Sequence, residues 1–150
     1  MSDQPVDEAT ERCFRRHLAW GWWLLALFLS LGIALELMHG FKLRLYLDVS
    51  NDTRRLMWRL AHAHGTLLAL VHLAFAAGVR AASSGDPAWR RRASRLLTWG
   101  ALLLPLGFFL GGVVVHGSDP WLGVLLVPLG ALCLLAAVLL TARGLGRRAG

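Results

Sequence analysis

"WLGVLLVPLGALCLLAAVLLT", residues Trp121 to Thr141, runs for 21 residues without an Asp, Glu, Lys, Arg or His. As a helix it would rise about 30 Å, the thickness of the hydrocarbon core of a bilayer. The stretch therefore reads as a membrane-spanning helix. Working outward, Leu96–Val115, Leu60–Val79 and Leu18–Leu37 are apolar runs of the same kind. The chain is 56% hydrophobic with a mean hydropathy of +0.53, more than a soluble core requires. A β-barrel is excluded, because the runs are continuous and rich in Leu and Ala, without the period-two alternation of barrel strands. The expected fold is all-α: a polytopic membrane protein built as an antiparallel bundle of four transmembrane helices.

The predicted helices cover about residues 18–39, 56–80, 95–116 and 120–142. Residues 1–17 read as a polar cytoplasmic segment, 18–143 as the transmembrane domain and 144–150 as a basic cytoplasmic tail. The first run is read as a retained helix. The stretch before it, "MSDQPVDEATERCFRRH", starts acidic, the run is long for a signal peptide, and no small-x-small site follows. "AASSGDPAWRRRAS", residues 81–94, reads as a loop with Asp86-Pro87 as its turn signal.

Charge sets the expected orientation. Of the 16 basic residues, eleven fall on the side of the termini: Arg12, Arg15, Arg16, Arg80, Arg90, Arg91, Arg92, Arg95, Arg143, Arg147 and Arg148. Five fall opposite, Lys42, Arg44, Arg54, Arg55 and Arg59, partly offset by Asp48 and Asp52. The positive-inside rule then places both termini in the cytoplasm, of a bacterial cytoplasmic membrane. "WRRRASR" abuts a membrane helix, where it meets anionic headgroups, so no nucleic-acid partner is expected. Cys13 and Cys133 are too far apart along this topology to bridge.

The six histidines carry the functional reading. His39 ends helix one, His62 and His64 begin helix two, and His116 ends helix three, so antiparallel neighbours bring four of them to the outer side with Glu36 and Asp119. Glu36 and His39 share a helix face in an E-x-x-H pattern of the kind that bundles use to present ligands to a metal. His62 and His64 lie about 200° apart around the helix and cannot face one point. His64, beside Gly65 and slightly deeper, is the expected ligand. His72 lies about 12 Å deeper still, with no other histidine at its level, and Ser30, Thr98 or a second protomer are its expected partners. His39, His64 and His116 each precede a glycine, which leaves room beside the ring or simply ends a helix. Pro105-Leu106-Gly107 and Pro128-Leu129-Gly130 form an internal echo, and Gly107 with Gly111 has the GxxxG spacing of close helix packing.

"AHAHGTLLAL", Ala61–Leu70, resembles the H-x-H helix of small membrane cytochrome-like proteins and of haem-copper oxidase catalytic subunits. The resemblance implies His62 or His64 as an axial haem ligand, with His39 or His116 opposite. The chain lacks the copper-site histidines and crosslinking tyrosine of those oxidases, so oxygen reduction is not implied. No G-x-S-x-G, H-E-x-x-H, P-loop or C-x-x-C spacing occurs, and Tyr46 is the sole tyrosine. Proton or ion transport is disfavoured, with His72 alone deep in the membrane.

The resulting expectation is a site of Glu36, His39, His62 or His64, and His116 near the outer leaflet. It would bind haem b, or a transition metal through Glu36, His39, His64 and His116, for electron transfer with a membrane redox partner or quinone. Trp58 and Trp121 would anchor at the same interface. Four helices enclose little volume, so a homo-oligomer is the expected way to enclose a macrocycle. The alternative is a non-catalytic membrane subunit or assembly factor with no cofactor. Whether the chain is an enzyme is left open.

Overall fold

The computed structural model describes residues 8–48, 52–82 and 87–146. Four helices carry the chain: α1 (Glu8–Gly40), α2 (Thr53–Ala81), α3 (Pro87–Gly111) and α4 (Leu126–Gly146), the last entered through a 3₁₀ turn at Leu122–Leu125. All four are long and apolar enough to cross a membrane. The large side chains left exposed along them, among them Trp22, Trp23, Ile33, Leu132 and Leu135, suit lipid as the solvent. The face where α1 starts and α4 ends is called the terminal face below, and the opposite one the hairpin face.

Packing follows chain order: α1 lies on α2, α2 on α3, and α3 on α4. Among the described residues no extensive contact joins α1 to α4, so the arrangement is an open row rather than a closed bundle. In α2 and α3, 39% and 44% of the apolar window is buried, against 11% in each flanking helix. Lipid supplies no hydrophobic drive between helices, so close approach depends on small residues. Gly21 meets Leu73 and Ala69 across α1 and α2. The α3–α4 seam is reciprocal about the Pro-Leu-Gly echo: Gly107 lies against Val127, and Gly130 lies against Leu104. Each glycine thus meets the residue just before the proline of the other tripeptide.

Several boundaries differ from expectation; α4 runs Leu126–Gly146 rather than 120–142, reaching into the stretch read as a tail. Helix α1 starts at Glu8, ten residues before the expected span. Glu8–Arg12 and Glu11–Arg15 are i,i+4 ion pairs on that added segment, with the acids in the first turn where the helix dipole favours them. The α2–α3 connection is shorter than the loop read from 81–94, because Pro87 opens α3 at the position where proline's missing N–H costs nothing. Asp86 lies outside the described residues, as do 1–7 and 147–150.

Helix α3 ends at Gly111 rather than His116. Gly111-Gly112 followed by three valines favours extended backbone over helix. Val115–His116 pairs antiparallel with Asp119–Pro120, putting His116 opposite Asp119, and Gly117 takes the positive φ of the turn at +62°. Arg54 closes this end, with its Nε donating to the Gly112 carbonyl at 3.0 Å and one terminal nitrogen to Leu45 O at 3.1 Å. Arg55 pairs with Asp52 at 2.7 Å. Two of the five hairpin-face cations are thus engaged in structure.

Candidate functional site

At the hairpin end of α1 and α2 lies a cavity of 880 Å³, within the range of small-molecule sites. Its apolar wall includes Leu29, Ile33, Leu37, Leu56 and Leu60, and its polar groups are Glu36, Tyr46, Arg59 and His62. Ile33, Leu37 and Leu56 are exposed, so the cavity opens sideways onto the apolar outer surface of the helices.

Gly32 shapes this site. Phe28 is four residues before it, so a side chain at 32 would cover the Phe28 carbonyl; a Cβ there would stand 2.6 Å from His62 Cε1. Without one, the imidazole lies against the α1 backbone and His62 Nδ1 meets Phe28 O at 2.8 Å. A carbonyl only accepts, so Nδ1 carries the hydrogen, and in the neutral ring Nε2 is left with a lone pair. Arg59 is an obligate donor and Glu36 an acceptor when ionised. The cavity thus combines a donor cation with two acceptors above an aliphatic wall.

Tyr46 closes the loop side. It is 4% exposed and its ring meets His39 edge-on at 6.4 Å. Burial pushes its phenol above the ordinary 10.0, helped by Glu36 and opposed by Arg59 and Arg55.

The other expected ligands go elsewhere. His64 Nδ1 meets the Leu60 carbonyl one turn back at 2.9 Å, and its ring packs on Phe108 of α3 at 4.9 Å. The 200° spacing therefore sends His62 toward α1 and His64 toward α3, and it is His62 that shares a cavity with Glu36. His39 lies on Tyr46, and His116 is exposed in the β-hairpin. Among the described residues no group of three or more His, Cys, Asp or Glu is arranged to hold a metal ion. A metal ion held by Glu36, His39, His64 and His116 together is therefore unsupported among the described residues. Trp58 stacks on Phe109 at 5.7 Å and donates to the Phe109 carbonyl at 3.1 Å, which places it on α3 and away from the cavity lining.

His72 also departs from expectation. Ser30 and Thr98 bond carbonyls of their own helices, and His72 Nδ1 instead meets His17 Nδ1 at 2.8 Å. His17 is the tenth residue of α1 and His72 the tenth from the end of α2, so antiparallel packing brings them level. Starting α1 at Leu18 hid this pair by leaving His17 outside the membrane. Compared with family models, curated proteins and solved structures, the chain matches none.

Proposed function

We propose that the chain is an integral membrane protein that binds a quinol-class amphiphile in the α1–α2 cavity, with the terminal face toward the cytoplasm. The observation that carries this reading is the His62–Phe28 carbonyl bond, which leaves Nε2 as an acceptor inside a sideways-open cavity. An aromatic diol offers hydroxyl hydrogens to His62 Nε2 and Glu36, an oxygen to Arg59, and an isoprenoid tail to the leucine wall. A phosphate headgroup is disfavoured, since it wants donors only and would face the Glu36 carboxylate and the imidazole lone pair. The basic excess on the terminal face supports the orientation.

Photolabelling tests the site. A photoreactive, isoprenoid-tailed quinol analogue, added to the protein in lipid nanodiscs, should crosslink to peptides covering residues 29–37 and 56–63, and excess unlabelled quinol should remove the label. Labelling spread along all four helices alike would reduce the cavity to ordinary lipid contact and leave the structural-subunit reading in its place.

A further inference from the structure

A second polar centre lies toward the terminal face, apart from the cavity. His17 and His72 are 1% and 0% exposed. Their ring centroids are 4.8 Å apart with planes 26° from parallel. The rings are offset and meet through their Nδ1 atoms at 2.8 Å, so in the neutral pair one Nδ1 carries the hydrogen and the other accepts it. On its far side, His17 Nε2 meets Ser94 Oγ of α3 at 2.8 Å. The Arg16 guanidinium also donates to Ser94 Oγ, which frees the hydroxyl hydrogen to point at His17. Phe75 and Trp20 flank the rings. At the far end His72 Nε2 is buried with no hydrogen-bond partner, and a buried polar atom of this kind ordinarily has one, often a water.

We propose that Ser94, His17 and His72 form a proton relay that links the terminal-face ends of α1 and α3 to a buried water at His72 Nε2. Ser94, itself 1% exposed, gives its hydroxyl proton to His17 Nε2 and regains one from a water admitted on the terminal side beside the exposed Arg16. His17 passes its Nδ1 proton to His72 Nδ1, and His72 releases its Nε2 proton to the buried water. In each group one bond to hydrogen forms as another breaks, so one proton crosses and both rings are left in the opposite tautomer. A proton returning from the water resets the chain. This relay does not depend on the quinol reading.

Nitrogen NMR of ¹⁵N-histidine-labelled protein in bilayers tests it. In the wild type both Nδ1 resonances should fall between the protonated and unprotonated extremes and move with temperature, as a shared, shifting proton requires. Ser94→Ala keeps both rings and should drive the pair toward a single tautomer. It should also slow exchange of the His72 Nε2 proton with bulk water by about tenfold or more, the equivalent of one lost hydrogen bond. Fixed, extreme Nδ1 shifts in the wild type, or exchange at His72 unchanged by Ser94→Ala, would show a static structural bond and overturn the relay.

Discussion

His62 and His64 lie two residues apart, little more than half a helical turn, and face different helices, each with Nδ1 tied to a carbonyl. The divergence was legible from the angle per residue. Which of the two shares the cavity with Glu36 was not, because it depends on Gly32 uncovering a carbonyl on another helix. Arg59 and Tyr46 were visible in the sequence only as a loop-side charge and a lone tyrosine, since nothing in local spacing says that the loop folds back over α1. Tyr46 carries a pH prediction. Its phenol is raised above the ordinary value, so the folded form holds the proton more tightly. The stability this contributes is intact below pH 10 and is lost as pH rises further. Alkaline unfolding should therefore begin earlier in wild type than in Tyr46→Phe, as followed by circular dichroism in detergent. Lys42, just past α1, sits at φ 53°, a conformation that costs a side-chain-bearing residue and suits glycine. Lys42→Gly should raise stability by about 0.5–1 kcal/mol, read as a higher unfolding midpoint.

Helix identity was plain in the apolar runs, whereas helix ends were not. Hydropathy marks where a chain meets lipid, and α1 continues for more than two turns beyond that point through Glu8, Glu11, Arg12 and Arg15. Their i,i+4 spacing was the available signal, and the pairing of His17 with His72 followed from it. The Pro-Leu-Gly echo was equally visible, but its meaning was not, because only the antiparallel seam sets Gly107 on Val127 and Gly130 on Leu104. A Cβ at Gly130 would come 2.7 Å from the Leu104 backbone nitrogen, where no side chain can yield. Gly130→Ala should push α3 and α4 apart and destabilise by about 1–3 kcal/mol, measured by denaturant titration in mixed micelles. Gly40→Ala is the control, since nothing lies within 4 Å of a Cβ there; equal loss in both variants would count against backbone contact as the basis of the seam.

At the scale of the molecule, the helices form an open row with α2 and α3 at its centre, and two polar centres lie toward opposite faces of it. The basic residues divide in the same way: on the hairpin face Arg54 and Arg55 are engaged in ending α3 and starting α2, while the terminal face carries the unbalanced charge. Reporter fusions placed after residue 150 should report a cytoplasmic C-terminus, and a periplasmically active one would reverse the proposed orientation. The central claim is that His62, set by Gly32 and the Phe28 carbonyl, makes the α1–α2 cavity a quinol site. The affinity of an isoprenoid-tailed quinol analogue for the protein in nanodiscs, compared among wild type, His62→Ala and His64→Ala, tests this most directly. The account predicts saturable binding to wild type, about tenfold weaker binding in His62→Ala for one lost hydrogen bond, and no change in His64→Ala. Binding no stronger than to empty nanodiscs, or a loss in His64→Ala with His62→Ala intact, would contradict it.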